Sequence, residues 1–263
     1  MEPRSFRMMR LLLFSIVLAG LGLVLCTPAM EPTPEETADR DPRGRVAAAR
    51  QRCFAKVKER FVAAKVDYPP DELFLRAFKH EAVVEVWARS DEGPFEMIHS
   101  YPITASSGRP GPKRREGDGQ VPEGFYVIDR FNAASRFHLS LGLNYPNASD
   151  RILSDPQKPG FDIYLHGGSD SAGCLPLGDA AIEELYLMAV DARNHARIPV
   201  HIFPARMAGP EWEKFLEPYR QRELAVVRFW EPLAAAYRAF ETTHSVPAVS
   251  VARDGNYRVA PVK

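Results

Sequence analysis

Hydrophobic and polar residues change their spacing several times along the 263-residue chain. From 43 to 66 the apolar positions recur three or four residues apart, which predicts an amphipathic helix. After a Pro-rich turn the period becomes two, and residues 73–79, 82–90 and 95–103 predict three strands. The first two strands would form a hairpin around 79–81, so the segment predicts a β-meander.

The middle of the chain predicts further strands, and its end predicts helices. Strands are expected at 124–129, 135–143, 161–166 and 198–204. A helix is expected at 178–195, polar loops at 105–123 and 144–160, and a terminal hairpin at 247–260. Residues 209–243 predict helical pieces broken near Pro218 and Pro232, because proline lacks the helical N–H. Strands and helices do not alternate regularly, so the pattern favours an α+β, mainly-β domain over a doubly wound sheet.

The N-terminus has a pattern of its own. Three arginines within the first ten residues precede a charge-free apolar run at 11–25, which is shorter than the ~20 residues that span a membrane. A basic start, a short apolar run and small residues before a cleavage site after Ala29 are typical of an export signal. An uncleaved anchor and lipidation at Cys26 are the alternatives. Each version places the rest of the chain outside the cytoplasm, in the periplasm or cell envelope.

The composition and the motifs absent from the sequence argue against several classes of function. The 34 basic and 34 acidic residues give zero net charge, whereas nucleic-acid-binding domains usually carry a basic excess. No Gly-rich phosphate loop and no His-Glu-x-x-His metal motif is present in the sequence. Beyond the signal, Cys53 and Cys174 remain. Two cysteines in an oxidising compartment invite a disulfide, but Cys53 lies on the predicted N-terminal helix, far away in sequence, and fits a small apolar residue on a helix face.

The segment DIYLHGGSDSAGC, residues 162–174, carries the candidate chemistry. His166 ends a predicted strand, and Cys174 follows eight residues later, shortly before a predicted helix. The glycines and Ser171 between them allow a tight reversal that could bring imidazole and thiol together. A thiol attacks a carbonyl only as thiolate and therefore needs such a base. Gly173 would let backbone N–H groups point at a developing oxyanion.

Other interpretations of these residues stay open at this point. Cys174 could be a buried structural thiol, with His166 a hydrogen-bonded histidine at a strand end. A metal site built from His138, His166 and Cys174 is a further possibility, although it would need three or four ligands and the sequence has no paired-ligand spacing. The basic run at 113–115 could steer an anionic polymer or form a solvated loop.

At these residues the sequence resembles the L,D-transpeptidases with a YkuD-type catalytic domain, and more closely their YafK-like branch. The blocks that carry the resemblance span about residues 70–250: LFLRAFKHEAVVEVWAR, YPITASSGRPGPKRREGDGQVPEGFYVID, SRFHLSLGLNYPNASD, LHGGSDSAGC and VHIFPARM. The resemblance implies a β-sandwich or barrel-like core of YkuD type, flanked by N- and C-terminal helices.

The resemblance also implies an activity and roles for particular residues. It implies that Cys174 is the nucleophile, His166 the general base, Gly167, Ser171 and Gly173 supporting residues, and His138 and Tyr126 candidate substrate contacts. The reaction would be acyl transfer on peptidoglycan stem peptides, in which the cysteine attacks the carbonyl of meso-diaminopimelate and an amine resolves the acyl-enzyme. Neither a metal nor an organic cofactor is needed. The biological context would be cell-wall biogenesis and cell shape.

Some positions depart from the family pattern. Val121 replaces a threonine, Ala172 replaces the histidine of the cysteine motif, and Pro176 replaces an arginine. The YafK-like branch shares the loss of the histidine, and some of its members are associated with hydrolysis. One alternative is therefore a hydrolase of the same bonds, an L,D-carboxypeptidase or amidase that releases a D-amino acid or a wall-attached protein. The other is a non-catalytic peptidoglycan-binding module.

The sequence as a whole predicts five parts and a short set of partners. The parts are a signal peptide or anchor (1–29), a flexible linker (30–42), an N-terminal helix (43–69), an L,D-transpeptidase-like catalytic domain (70–209) and a helical C-terminal extension with its tail (210–263). The expected partners are peptidoglycan stem peptides and, for the hydrolase alternative, a wall-attached protein. We expect no nucleic-acid partner, and membrane contact only through the N-terminal segment.

Overall fold

The computed structural model describes residues 42–261, so the predicted export signal and nearly all of the predicted linker lie outside the described residues. The helices within this range are α1 (Pro42–Ala64), α2 (Ala148–Leu153), α3 (Asp179–Asp191), α4 (Gly209–Arg222) and α5 (Leu224–Thr243), with a 3-10 turn at His195–Arg197. The strands are β1 (Glu72–Phe78), β2 (Val83–Arg89), β3 (Glu96–Pro102), β4 (Gly124–Asn132), β5 (Ser140–Leu143), β6 (Tyr164–His166), β7 (Leu175–Pro176), β8 (Pro199–Phe203), β9 (Val249–Val251) and β10 (Tyr257–Val259).

Eight of these strands form one mixed sheet in the order β3-β2-β1-β8-β4-β5-β6-β7. The predicted antiparallel meander of β1, β2 and β3 is confirmed at one edge. β1 runs parallel to β8 in the interior of the sheet, and β6 runs parallel to β7 at the other edge. The predicted terminal hairpin is β9–β10. The protein is therefore of the α+β class, with a large curled sheet and flanking helices. None of the helices within 42–261 combines the length and apolar character needed to cross a membrane.

The centre of the sheet is buried on both faces, and β1 shows why. Successive strand residues point to opposite faces. Leu73, Leu75 and Ala77 join the core that also contains residues of α1 and α3. On the opposite face, Phe74 packs against Phe240 of α5, with ring centroids 5.0 Å apart. Helices therefore cover the sheet on both sides, which explains why this strand is an almost continuous apolar run.

The two predicted helix breaks are placed differently in the structure. Pro218 lies inside α4 and Pro232 inside α5, so the prediction of breaks at these prolines is wrong. The chain instead turns at Glu223, whose backbone leaves the helical region at φ −137 and ψ 53. Proline inside a helix costs about 3 kcal/mol, but α4 and α5 pack against each other through contacts such as Tyr219 on Trp230, 4.8 Å between ring centroids. This packing favours continuous helices.

Two loop and strand predictions are also corrected. The polar segment 144–160 contains the short helix α2, which begins with a capping box between Asn147 and Asp150. The predicted strand 135–143 begins only at Ser140, because the chain before it is a loop in which His138 adopts a left-handed φ of 67°. The latter segment borders the candidate site.

A buried ion pair fastens the long loop between β3 and β4 to the rest of the domain. Lys79 Nζ lies 2.9 Å from Glu123 Oε1, and their side chains are 4% and 0% exposed. The same ammonium donates to three carbonyls within residues 109–121. Glu123 also accepts a hydrogen bond from the Trp230 indole, at 2.6 Å. The pair therefore joins the end of β1, both arms of the loop and α5.

This pair generates a stability prediction. Glu123→Gln keeps an acceptor for Trp230 but leaves the Lys79 charge buried without its counter-ion, so we expect the free energy of unfolding to fall by about 3–5 kcal/mol. The control is Glu213→Gln, which removes an exposed partner of Arg220 and should cost less than about 1 kcal/mol. Urea unfolding of both variants measures the difference. Equal losses would contradict the proposed importance of the buried pair.

Candidate active site

A cavity of about 250 Å³ lies where β5, β6 and β7 meet the loop that follows β4. The residues that line it are Asn132, Ala134, Ser135, Arg136, Phe137, Ser140, Tyr164, His166 and Cys174. The structure thus brings the predicted nucleophile and the predicted base to one cavity. A larger cavity of about 420 Å³ lies between residues 109–120 and α5, and neither of the two residues lines it.

Strand register explains how residues eight positions apart in sequence reach the same cavity. β6 pairs with β7 in parallel, with His166 opposite Pro176 and Leu165 opposite Leu175. One step earlier in this register, Cys174 stands beside Tyr164. Because residues two apart share a face of a strand, the side chains at 164, 166 and 174 point to the same side. Residues 167–173 form a loop that returns the chain, so that β7 runs parallel to β6 and does not reverse against it.

The His166 ring is held by the backbone and by an aromatic neighbour. Its side chain is 2% exposed, and Nδ1 lies 2.6 Å from the Gly167 carbonyl oxygen. A carbonyl can only accept, so Nδ1 carries the proton and the lone pair is on Nε2. The ring rests on Phe137 at 4.6 Å between centroids. Burial lowers the pKa of His166 below its ordinary value, which favours the neutral imidazole.

The two described cysteines differ in their surroundings, and both are free thiols. Cys174 is partly buried, and burial raises its pKa, with an opposing contribution from a hydrogen bond to the Tyr164 backbone. Cys53 is buried on α1, donates to the Ala49 carbonyl at 3.1 Å, and has its pKa raised to about 11, chiefly by burial. The two shifts therefore favour the uncharged form of each side chain at the cavity, the Cys174 thiol and the neutral His166 imidazole.

Ser171 and Gly173 hold the turn that presents Cys174. The Ser171 hydroxyl donates to the Cys174 carbonyl at 2.8 Å and lies 3.0 Å from the Ser107 hydroxyl. Gly173 has φ 121°, and a Cβ there would lie 2.8 Å from the Gln120 carbonyl oxygen. Its N–H donates to Ser171 Oγ at 3.3 Å. The sequence predicts that this N–H donates to an oxyanion. To do so it would first have to give up its hydrogen bond to Ser171.

Gly167 is needed for a close approach of three chain segments. A Cβ at this position would lie 2.4 Å from Asp179 Oδ1 and 2.8 Å from the Phe137 carbonyl oxygen. Asp179 lies in the first turn of α3, and its carboxylate accepts from the Gly168 N–H at 2.8 Å. The helix start is thereby joined to the turn after His166.

The two predicted substrate contacts are placed elsewhere. His138 does not line the cavity, and its Nε2 lies 2.6 Å from Glu183 Oε1. Tyr126 is 2% exposed and donates to Asp150 Oδ2 at 3.0 Å. Their positions do not support direct contact with a substrate in this cavity. His138 instead holds the loop that forms one wall.

The metal and steering hypotheses are likewise not supported by the arrangement. Residues 42–261 contain no group of three or more His, Cys, Asp and Glu side chains that could hold a metal ion. Lys113 of the basic run is buried and paired with Asp118, and Arg114 lies over the Phe229 ring. Two of the three cations are therefore engaged within the domain.

Sequence reasoning missed three residues that shape the site. Phe137 supports the imidazole, Ser140 lines the cavity, and Ser107 supports the turn before Cys174. Apolar positions alternate through 137–143, and this pattern predicts that Phe137 lies on a strand, where it would only contribute to a core. No sequence signal links Ser107 to a turn more than sixty residues later.

Comparison with known proteins assigns the class. The family model of the YkuD L,D-transpeptidase catalytic domain matches residues 81–202, a range that includes His166 and Cys174. YafK of Escherichia coli (strain K12), whose name assigns it to the L,D-transpeptidases, is 30% identical over 192 residues, which cover 72% of this chain and 74% of YafK. The chain therefore belongs to the L,D-transpeptidase family with the YkuD-type catalytic domain, and the resemblance seen in the sequence is confirmed.

Solved structures give more distant similarities. The helical cell shape determining protein Pgp2 of Campylobacter jejuni is 14% identical, with a TM-score of 0.41 and 81% of each chain covered. L,D-transpeptidase 1 of Mycobacterium tuberculosis is 12% identical, with a TM-score of 0.29, 51% of this chain and 62% of that protein covered. The family assignment depends on the sequence matches and not on these superpositions.

The glycine before the cysteine generates a prediction with a matched control. Gly173→Ala would place a methyl group against the Gln120 carbonyl and displace Cys174. We therefore expect a lower free energy of unfolding and a changed rate of Cys174 alkylation by iodoacetamide. Gly209, the first residue of α4, also has a positive φ, 76°, but a Cβ there meets nothing within 4 Å. Gly209→Ala should therefore lose only the backbone strain, about 1–3 kcal/mol, and keep the alkylation rate of the parent. Identical alkylation rates in the two variants would contradict this account.

The raised pKa of the Cys174 thiol predicts the pH dependence of its alkylation. Because burial disfavours the thiolate, the midpoint of the rate against pH should lie above 9.0, the ordinary value for cysteine. The experiment uses a Cys53→Ala background and iodoacetamide, with the urea-unfolded protein as the unshifted control. A midpoint well below 9.0 in the folded protein would instead indicate a thiolate–imidazolium pair at rest.

Proposed function

We propose that this protein is an exported cysteine-dependent acyltransferase that acts on peptidoglycan stem peptides through an acyl-enzyme on Cys174. The observation that carries the proposal is the shared cavity of His166 and Cys174, with the Nδ1 proton of His166 held by the Gly167 carbonyl. This bond directs the basic Nε2 away from the backbone. Membership of the L,D-transpeptidase family supplies the substrate class.

In the proposed acylation, the thiol proton of Cys174 moves to Nε2 of His166 as Sγ attacks the carbonyl carbon of meso-diaminopimelate. The tetrahedral intermediate then collapses, the carbon–nitrogen bond breaks, and the leaving amine takes the proton from the imidazolium. A thioester and a free amine result. The neutral resting pair suits this sequence, because the imidazole must begin unprotonated.

The thioester is then resolved by a second nucleophile. An amine of a neighbouring stem peptide gives a new peptide bond, and His166 accepts its proton before returning it to the departing thiolate of Cys174. Water in the same position gives hydrolysis and a free carboxylate. We propose transfer as the main reaction and hydrolysis as the second candidate, which is motivated by Ala172 at the position of the usual motif histidine.

The proposed location is the periplasm or cell envelope. The basic residues and apolar run at the N-terminus are typical of an export signal, and a wall polymer is accessible only outside the cytoplasm. Release of a wall-attached protein belongs to the hydrolytic candidate. Both candidates need only the residues of the chain, without a metal or an organic cofactor.

Digestion of purified sacculi with the mature enzyme, followed by mass spectrometry, tests the proposal. Joined stem peptides would establish transfer, whereas lost terminal residues or a released protein would establish hydrolysis. Cys174→Ser should lower turnover by roughly 10³-fold or more, while the matched Cys53→Ala variant should retain it, because Cys53 lies buried on α1. Wild-type and Cys174→Ser digests that are alike would support a non-catalytic binding module and refute the proposed enzyme.

A further inference from the structure

The loop between β4 and β5 forms one wall of the candidate active site. We refer to residues 133–138 as the wall loop. Four cavity-lining residues belong to it, Ala134, Ser135, Arg136 and Phe137. The loop has no strand partner of its own, so other contacts must fix its backbone.

Arg45, in the first turns of α1, provides three of these contacts. The carbonyl oxygens of Ala133, Ser135 and His138 accept from its Nη1 at 3.0, 2.9 and 2.5 Å, and because Nη1 carries two N–H bonds, at least one of them is shared between two acceptors. These acceptors lie at the start, the middle and the end of the wall loop. A single guanidinium of the N-terminal helix therefore binds the wall loop at three points along its length.

A second contact from α1 reaches the end of the wall loop. Glu183 of α3 lies 2.6 Å from His138 Nε2 and accepts two hydrogen bonds from Arg52 of α1, at 3.1 and 2.5 Å. His138 has a left-handed φ of 67°, which residues other than glycine rarely adopt. Contacts on both its carbonyl and its ring hold it there.

The wall loop in turn contacts the predicted base. The Phe137 carbonyl accepts from the Gly167 N–H at 3.0 Å, and the Phe137 ring lies 4.6 Å from the His166 ring. Gly167 also provides the carbonyl that holds Nδ1 of His166. A displacement of the wall loop would therefore move both the ring contact and the backbone that orient the imidazole.

We infer that Arg45 is a positioning residue, which acts on His166 through the wall loop and makes α1 part of the functional unit. The matched family segment begins at residue 81, so α1 lies outside it and contributes a contact that the segment itself lacks. The effect of Arg45 on turnover rests on the proposed function. Its effect on the orientation of His166 does not.

The test compares Arg45→Ala with Arg50→Ala in the full chain. Arg50 lies on the same helix, carries the same charge and makes a bidentate ion pair with Asp191 of α3, at 2.7 and 2.5 Å, but it does not contact the wall loop. Both variants lose one cation and one attachment of α1. Only the Arg45 variant releases the three carbonyls.

Two measurements are independent of the substrate. Hydrogen exchange at the amides of 133–138 should rise roughly tenfold or more in Arg45→Ala, because the local opening costs less, and should stay unchanged in Arg50→Ala. The NMR signals of the His166 ring should shift in Arg45→Ala alone. Arg45→Lys, which keeps a shorter donor, should restore part of both effects.

Turnover of sacculi adds the catalytic measurement. Arg45→Ala should lower kcat about 10- to 100-fold with little change in KM, because misplacement of a catalytic group acts on the transition state. An unchanged His166 ring signal, or equal effects of Arg45→Ala and Arg50→Ala, would overturn the inference. If wild-type protein shows no turnover, the proposed function fails, while a shift of the ring signal in Arg45→Ala alone still supports the positioning role.

Discussion

The buried Lys79–Glu123 pair is the interaction on which the arrangement of the site depends. Burial of two charges is unfavourable unless each is paired and hydrogen-bonded, and here the ammonium and the carboxylate both have several partners. Apart from Trp230 of α5, these partners lie on the two arms of the loop between β3 and β4. The pair thereby brings Gln120 against Gly173, next to Cys174. A loop of this length and polarity could not supply such order from apolar packing.

Charged side chains hold both loops that border the candidate site, in different ways. Lys79 and its carboxylate partner act from inside the domain, beneath the β3–β4 loop. Arg45 acts from α1, where it is partly buried, on the β4–β5 loop. In each case a cation with several N–H groups meets several carbonyl oxygens, which loop backbone would otherwise have to expose to water. The sheet positions His166 and Cys174 in register, and these cations position the loops around them.

Much of the fold follows from local patterns, and the exceptions have identifiable physical causes. The period-two segments predict β1, β2 and β3 because each strand alternates between two faces of the sheet. The pattern of 135–143 also alternates, yet 133–138 is a loop because contacts with distant Arg45 and Glu183 outweigh the strand pattern. The helix α2 could have been found, since Asn147 and Asp150 have the spacing of a capping box. The continuity of α4 through Pro218 could not, because it depends on packing against α5.

In the candidate site, too, some residues can be predicted from local sequence and others depend on contacts with distant parts of the chain. His166 and Cys174 could be predicted because they lie on one short segment, and the family resemblance gave them roles. Residues that orient them come from far away in sequence, as Ser107 and Arg45 do, and local spacing carries no information about such contacts. His138 shows the same limit, since its ring lies against Glu183 of α3, a partner that the spacing of its own segment does not indicate.

The loss of the motif histidine constrains the proposed reaction. Ala172 is exposed, and within the described part of the chain His166 is the only imidazole that lines the cavity. The turn before the cysteine is held instead by the hydroxyls of Ser171 and Ser107. One imidazole must then accept the thiol proton, protonate the leaving amine and deprotonate the incoming nucleophile. In the proposed reaction all three transfers involve Nε2 of His166, so the acceptor would approach from the side by which the first amine departs, and the choice between amine and water would be made at that single face of the cavity.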